Sequence, residues 1–301
     1  MKLSSAILIF AFGALLRAPA QPPAQVVSVE ISLDQNQFLP SEAIPVTVKV
    51  FNTSGETLRL GAANDWLTFN VQDRDDHSDV RRNSQPPVAA AFDLGSSEVA
   101  IKHVNIAPCF SLSDSGRYSV TAYVHIPEWN MDISSAPVEF DIINGAELWS
   151  QPFGVPAPAG ASNGPPEIRK YVLEEANYLR KQLRLYLLVT DNEGGRIFKV
   201  SAVGPMVSFS RPEAELDSAS NLHVLYQSGG ETFLYSVFNP DGTLVQQQVY
   251  DYSNTRPELS LDAAGHIVVV GGALKVKPVE MPIIMPPNEV PPLSTAPATN
   301  H

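Results

Sequence analysis

Asp114-Ser115-Gly116-Arg117-Tyr118-Ser119-Val120 is the stretch that decides the fold of the first half of this 301-residue chain. It leads from a polar turn into residues 117–126, where apolar and polar residues alternate as in a strand with one buried face. Similar short segments, separated by turn residues, occur at 27–33, 46–51, 58–60, 66–71, 99–106 and 137–143. This series shows no helical period and predicts two packed antiparallel sheets over residues 26–145.

The same stretch resembles the D-x-G-x-Y sequence that opens strand F of immunoglobulin-like domains. In that family the hydroxyl of the tyrosine, here Tyr118, bonds back to the backbone at the corner between two strands. A cysteine usually follows two positions later, and Val120 takes its place in this chain. The resemblance therefore implies an immunoglobulin-like β-sandwich that relies on apolar packing instead of a disulfide.

The second half of the chain contains a repeat with a period of 45 residues. Arg211-Pro212-Glu213-Ala214-Glu215-Leu216-Asp217 is echoed without a gap by Arg256-Pro257-Glu258-Leu259-Ser260-Leu261-Asp262. Each copy then runs into a small-residue turn and an apolar strand, at 222–226 and 266–270. Residues 166–168 would be a third, eroded start of the same repeat.

A period of about 45 residues filled by short strands is typical of β-propeller blades. In the first full copy, strands are predicted at 213–217, 222–227, 232–238 and 244–250. The pattern resembles repeats of secreted bacterial propellers, including sialidase-like and NHL-like ones, and implies about two blades of antiparallel β-structure. The blades would form an open pair of sheets, or several chains would close one ring. Leu216 and Leu261 are expected to be buried alike, and 239–242 to be a tight turn.

Residues 167–183 are compatible with two structures. A helix would place four apolar residues on one face: Ile168, Val172, Leu179 and Leu183. A hairpin with strands at 170–174 and 183–190 would instead open the first blade. The repeat register favours the hairpin.

Composition divides the chain into a signal peptide (1–20), a sandwich (21–153), a linker (154–166), a repeat domain (167–277) and a Pro-rich disordered tail (278–301). Ala18-Pro19-Ala20 follows an apolar run and predicts cleavage before Gln21. Trp149 and Phe153 are expected to dock the chain at the junction between the two domains.

Charge and cysteine content exclude several classes of protein. The chain has 20 Lys and Arg against 32 Asp and Glu, a net charge of −12, whereas nucleic-acid and anionic-lipid binders need a basic surface. The single cysteine, Cys109, excludes an intramolecular disulfide, and its apolar surroundings predict a buried, inert thiol. No other apolar run is long enough to span a membrane, so none is predicted in the mature chain.

Two features are candidate sites. Asp73, Asp75, Asp76 and Asp79 place four carboxylates in seven residues and are weak calcium candidates, since calcium takes six to eight oxygen ligands. A solvated hairpin tip is the simpler interpretation of this run. Trp129, in a loop after the strand at 117–126, is either a packing residue or a ligand contact.

No catalytic motif is present: G-x-S-x-G, H-E-x-x-H, C-x-x-C and a phosphate-binding glycine loop are all missing. No catalytic residue, cofactor or metal is therefore assigned, and an enzyme is not expected. The predicted function is an exported structural or binding module, secreted or periplasmic, whose partner is an unknown protein or glycan at the cell surface. The alternatives are carbohydrate binding and, less favoured, a hydrolase of unfamiliar type. Self-association through the blade edges is a further expectation.

The whole chain resembles uncharacterised secreted bacterial proteins that combine an immunoglobulin-like sandwich with propeller-like repeats. The fold expected is therefore all-β in both halves.

Overall fold

The chain forms two compact units, Met1–Asn144 and Gly145–His301. The computed structural model describes residues 26–86, 90–156, 167–179 and 182–275. These residues form strands and two single-turn 3-10 helices, with no α-helix among them, which confirms the all-β class. In the same ranges, no helix has the length and apolar character needed to cross a membrane. The predicted signal peptide, the tail and most of the linker lie outside the described residues.

Two sheets form most of the first unit. One has the strand order β1 (Val27–Leu33), β3 (Pro45–Asn52), β7 (Glu98–Asn105). The other has the order β2 (Gln37–Phe38), β10 (Val138–Ile142), β8 (Gly116–Ile126), β5 (Leu67–Asp73), with β9 (Met131–Ser134) also on β8. A separate pair consists of β4 (Leu58–Leu60) and β6 (Phe92–Leu94). Only the β2–β10 pairing is parallel among these strands.

The inward faces of both sheets share one hydrophobic core. Val46, Val48 and Val50 of β3 are buried, whereas the residues between them are partly exposed. Phe69 and Val71 of β5 are buried in the same alternating manner on the opposing sheet. Successive side chains of a strand point to opposite faces, so this pattern is the expected result of packing one face only. The predicted pair of packed sheets is therefore confirmed.

Tyr118 lies near the start of β8 and is buried in this core. Its hydroxyl donates a hydrogen bond to the backbone carbonyl oxygen of Asp114 at 3.0 Å, and its ring stacks on Phe140. The backward hydrogen bond predicted from the sequence is thus confirmed. Val120 is fully buried, and Cys109 is a buried free thiol, as predicted.

Three antiparallel layers form the second unit. The first, called the entry sheet, has the order β11 (Ala146–Gly154), β12 (Ile168–Tyr178), β13 (Gln182–Asp191), β14 (Ile197–Met206). The middle sheet has the order β15 (Glu213–Leu216), β16 (Leu222–Gln227), β17 (Thr232–Phe238), β18 (Leu244–Asp251), β21 (Ala273–Leu274). The end hairpin consists of β19 (Glu258–Leu261) and β20 (Ile267–Val270).

Strand β16 of the middle sheet is packed on both faces. Leu222 on β16 belongs to a core cluster with Tyr171 of the entry sheet. Leu225 belongs to a second cluster, against which Leu259 and Val269 of the end hairpin pack. All six residues of β16 are buried as a result. A strand covered on both faces loses the alternation of a half-exposed strand.

Three tight turns of the second unit share one pattern of hydrogen bonds. In each turn the side-chain oxygen of the first residue accepts bonds from the backbone N–H groups two and four positions later. The first residues are Asp217, Asn239 and Asp262. The fourth residues have positive φ angles: Ser220 (63°), Gly242 (72°) and Gly265 (82°). The turn predicted at 239–242 is confirmed, and the sequence repeat extends to backbone geometry.

The hairpin interpretation of 167–183 is confirmed, because β12 and β13 are paired strands.

The division between the units falls earlier in the chain than residue 153. The reason is that β11 pairs along its length with β12 and so belongs to the second unit. Phe153 stacks on Tyr171 with ring centroids 4.0 Å apart, and Trp149 packs against the same core. Both side chains therefore pack within the second unit.

The expectation that Leu216 and Leu261 are buried alike is wrong. Leu216 is partly buried against the core shared with the entry sheet, whereas Leu261 is 68% exposed. Leu261 lies at the turn end of the end hairpin, away from Leu259 and Val269, which make the contact with the middle sheet. None of the sheets formed by the described residues closes into a ring.

Candidate functional site

A polar cleft of about 590 Å³ lies on the outer face of β5, β8 and β9 in the first unit. Eight side chains line it: Asp65, Thr68, Asn70, Asp79, Arg82, Tyr123, His125 and Asp132. We call this site the polar cleft. Its lining combines carboxylates, an amide, a hydroxyl, a guanidinium, an imidazole and a phenol.

The floor of the polar cleft is made by outward-facing residues of two neighbouring strands. Thr68 and Asn70 alternate with buried residues of β5, and Tyr123 and His125 do so on β8. Thr68 lies directly opposite Tyr123 in the ladder. The apolar alternation that builds the core of the first unit thus also sets these four side chains side by side on its outer surface.

Asp79 forms one wall of the cleft. An isolated bridge to Gln72 holds it beside β5. Its Oδ1 accepts hydrogen bonds from the side-chain amides of Asn70 at 3.0 Å and Gln72 at 3.1 Å. These two bonds lower the pKa of Asp79, so its carboxylate is charged at neutral pH. Both bonds use Oδ1, and Oδ2 has no hydrogen-bond partner among the described residues.

Arg82 stands on the same wall as Asp79. Its guanidinium donates a hydrogen bond to the backbone carbonyl oxygen of Phe69 at 2.5 Å and lies 5.9 Å from the centre of the Phe110 ring. These contacts fix the side chain in place. A guanidinium has five N–H donors, so most remain for other acceptors.

His125 and Asp132 form the opposite wall. They are ladder partners on β8 and β9, and Nδ1 of His125 lies 2.7 Å from Oδ1 of Asp132. This contact orients the ring, and Nε2 of His125 has no hydrogen-bond partner among the described residues. Asp65, just before β5, adds a third carboxylate.

The arrangement suits recognition of a polar ligand by hydrogen bonds. Carboxylates accept bonds from ligand hydroxyl or amine groups, while Arg82 donates to ligand oxygens. Tyr123 is 37% exposed and offers an aromatic ring and a hydroxyl beside these groups. The lining is predominantly polar, so recognition here would depend on hydrogen bonds and charge more than on apolar contact.

The structure does not bring the four calcium candidates together. Asp73 and Asp76 each accept a hydrogen bond from the backbone N–H two residues later, which stabilises the local turn. Asp75 forms an ion pair with Arg117, and only Asp79 lines the polar cleft. In the described part of the chain, no three His, Cys, Asp or Glu side chains are grouped so as to hold a metal ion. The run is exposed at the turn after β5, which is the geometry of a hairpin tip.

Trp129 lies outside the polar cleft. It ends the 3-10 helix Pro127–Trp129 and packs, partly buried, against the core of the first unit. Of the two roles predicted for it, this position favours packing.

Comparison with known proteins gives only weak likenesses. No known family profile and no curated protein matches the chain. Among solved structures, the sporulation control protein Spo0M from Bacillus subtilis is similar over 75% of this chain and 90% of its own, with 12% identity and a TM-score of 0.28. The PapD-like domain 7 of human CEP192 is similar over 44% of this chain and 93% of its own, with 12% identity and a TM-score of 0.23. At these scores neither likeness carries an argument about function.

Seven of the eight residues of the polar cleft were not identified from the sequence; only Asp79 was singled out. Part of the cleft could have been identified from the alternating strand pattern. Its polar, outward-facing positions place four residues on one surface: Thr68, Asn70, Tyr123 and His125. Asp65, Arg82 and Asp132 come from separate segments, and only the folded chain shows that they meet there.

Proposed function

We propose that this chain is an exported, non-enzymatic binding module whose ligand occupies the polar cleft of the first unit. The observation that carries the proposal is that two fixed groups, Arg82 and the His125–Asp132 pair, line one open cleft together with the exposed side chain of Tyr123. Export rests on the N-terminal sequence, with its apolar run and the small-residue site at 18–20. The secreted or periplasmic location belongs to the same proposal.

We further propose that the first unit is immunoglobulin-like and that the second is an open, propeller-like stack. The strand orders β1-β3-β7 and β10-β8-β5 agree with strands A-B-E and G-F-C of that fold, and the Tyr118 bond supports the assignment. The three layers and their shared turn pattern support the second assignment. Neither fold assigns a ligand by itself.

A glycan is the ligand class that the polar cleft favours over a protein surface. Its lining combines acceptors and donors with one aromatic side chain, Tyr123, a combination that matches the hydroxyl groups and apolar faces of a sugar ring. Its size of about 590 Å³ suits a small ligand, because protein partners bury much larger surfaces.

The test is an array of neutral and acidic oligosaccharides probed with the chain from Gln21 onward. We expect binding to a defined subset of glycans, and a Tyr123→Ala variant should bind about tenfold more weakly, a loss of about 1.4 kcal/mol. Tyr252→Ala is the matched control, because Tyr252 is also an exposed tyrosine, 53% exposed, and lies in the second unit. Glycan binding that both variants retain would place the site elsewhere, and no glycan binding at all would contradict the glycan as the ligand.

A further inference from the structure

The charged groups that line the polar cleft are not balanced. Its carboxylates are those of Asp65, Asp79 and Asp132. Only two groups of the lining can carry a positive charge, Arg82 and His125. The carboxylates therefore outnumber the cations even when His125 is protonated. A ligand that enters the polar cleft meets an excess of negative charge, and this excess selects among glycans of different charge.

Arg82 does not neutralise these carboxylates. Its guanidinium donates to the backbone carbonyl oxygen of Phe69 and lies beside the ring of Phe110. In the part of the chain that the structure describes, no ion pair joins Arg82 to an acidic side chain. The positive charge of the cleft is thus held by other contacts, and the carboxylates face the ligand uncompensated by it.

Each of the three carboxylates keeps an acceptor oxygen for a ligand. Oδ1 of Asp79 accepts bonds from two side-chain amides, whereas its Oδ2 has no partner among the described residues. Oδ1 of Asp132 contacts His125, and its Oδ2 is likewise without a partner in the described ranges. Asp65 is exposed and forms no hydrogen bond or ion pair with any described residue. Acceptors, and not donors, are therefore the groups that these three side chains offer.

A protonated amine is the ligand group that best matches these acceptors. An ammonium group has three N–H donors and a positive charge, whereas a sugar hydroxyl has one donor and no charge. Hydrogen bonds between charged partners are shorter and stronger than bonds between neutral ones. The carboxylate of an acidic sugar would instead be repelled by three like charges. Among glycans, those with a free amine therefore fit the charge of the polar cleft best.

We propose that the polar cleft selects amino sugars, binding a glycan with free amines more tightly than the same glycan in its N-acetylated form. The inference rests on the proposed function, since it names the ligand class of the same site. The amines donate to the free oxygens of Asp65, Asp79 and Asp132, while Arg82 donates to a hydroxyl oxygen of the sugar. Acidic glycans are excluded by the same carboxylates.

The experiment is calorimetric titration of the chain from Gln21 onward with oligosaccharides of glucosamine and of galactosamine, each beside its fully N-acetylated counterpart. At a pH of about 5.5, amines are protonated and exposed aspartates are charged. We expect the free amine form of at least one sugar to bind about tenfold more tightly than its N-acetylated form. Asp65→Asn and Asp79→Asn should each reduce this preference about three- to fivefold, as expected for an exposed ion pair. Asn at position 79 retains an oxygen for the two amide bonds, so the wall of the cleft stays in place.

Asp34→Asn is the matched control, because Asp34 is an exposed aspartate of the same unit outside the polar cleft, and its variant should keep the full preference. Equal affinity for the amine and N-acetylated forms, or binding of neither form by a chain that binds other glycans of the array, would overturn the inference and leave glycan binding intact. A preference that Asp34→Asn weakens as much as Asp79→Asn would also overturn it, since the amines would then respond to the overall negative charge of the chain. Failure to bind any glycan contradicts the proposed function itself, and the inference with it.

Discussion

Glu147 and Glu174 lie directly opposite each other on β11 and β12, so two carboxylates share one face of the entry sheet. Burial raises the pKa of Glu174 above its ordinary value of 4.5, and the charge of Glu147 raises it further. The folded chain therefore holds a proton on Glu174 at pH values where the unfolded chain has released it. Stability is lost as pH rises from about 4.5 through the folded-state pKa.

Replacing Glu174 by Gln should remove this dependence. The Glu174→Gln variant should have a higher Tm than the wild type at pH 7, and the difference should shrink as pH falls toward 4. Thermal unfolding followed by circular dichroism over this range measures it. Glu175→Gln is the control, because Glu175 points to the other face of β12, opposite Ala146. A pH-independent difference between Glu174→Gln and the wild type would contradict the assignment.

The bond from Tyr118 to Asp114 should contribute measurably to the first unit. Tyr118→Phe keeps the ring and its stacking on Phe140 but leaves the backbone carbonyl oxygen of Asp114 without this donor. The expected cost is about 1–3 kcal/mol in the free energy of unfolding, measured with urea. Tyr123→Phe, on the exposed outer face of the same strand, should change it by less than about 0.5 kcal/mol. Equal stabilities of the two variants would show that the Tyr118 hydroxyl is not needed.

Two glycines with positive φ distinguish backbone strain from steric conflict. Gly265→Ala adds a Cβ with no atom within 4 Å, so only the left-handed backbone opposes it, at about 1–2 kcal/mol. Gly242→Ala has the same backbone cost, but its Cβ would lie 2.8 Å from Cγ2 of Val189 on the entry sheet. We expect Gly242→Ala to be less stable than Gly265→Ala by about 1–3 kcal/mol in urea unfolding. If the two variants lose the same free energy of unfolding, the turn at 239–243 does not pack closely against the entry sheet.

Export can be tested by intact-mass measurement. Protein recovered from the periplasm or medium of an expressing bacterium should lack residues 1–20 and begin at Gln21. Ala18→Arg and Ala20→Arg together should block processing, because the cleavage site needs small residues. Retention of Met1 in the exported wild type would contradict cleavage at this site.

The long strands were predictable from the sequence because the alternation of apolar and polar residues within each segment is enough to indicate a strand. Residues 46–51 and 117–126 show the alternation that a half-buried strand needs, and both are strands in the structure. The two-residue strand Gln37–Phe38 was not predictable, since its parallel pairing with β10 depends on residues about a hundred positions away. Strand β9 was also missed; it follows Asn130, whose positive φ redirects the chain after the 3-10 helix.

The polar cleft was less predictable than the fold for a physical reason. Strand alternation reports which side chains are buried, whereas a surface cleft depends on which outward side chains from distant segments meet. His125 and Asp132 are seven residues apart and meet because β8 and β9 pair. Arg82 lines the same cleft as Tyr123 because two isolated bridges, Gln72–Asp79 and Arg82–Phe110, hold its segment in place.

The complete burial of β16 has a consequence for how the second unit opens. Backbone amides exchange with solvent through local openings wherever a strand can separate from its neighbours without disturbing the rest. Residues 222–227 cannot open locally in this way. One face of β16 packs on the entry sheet and the other on the end hairpin, so moving the strand away from either one exposes the core that they share. Their amides should therefore exchange only at the rate set by global unfolding of the unit. In that case the repeats, though separate in sequence, melt in a single cooperative transition.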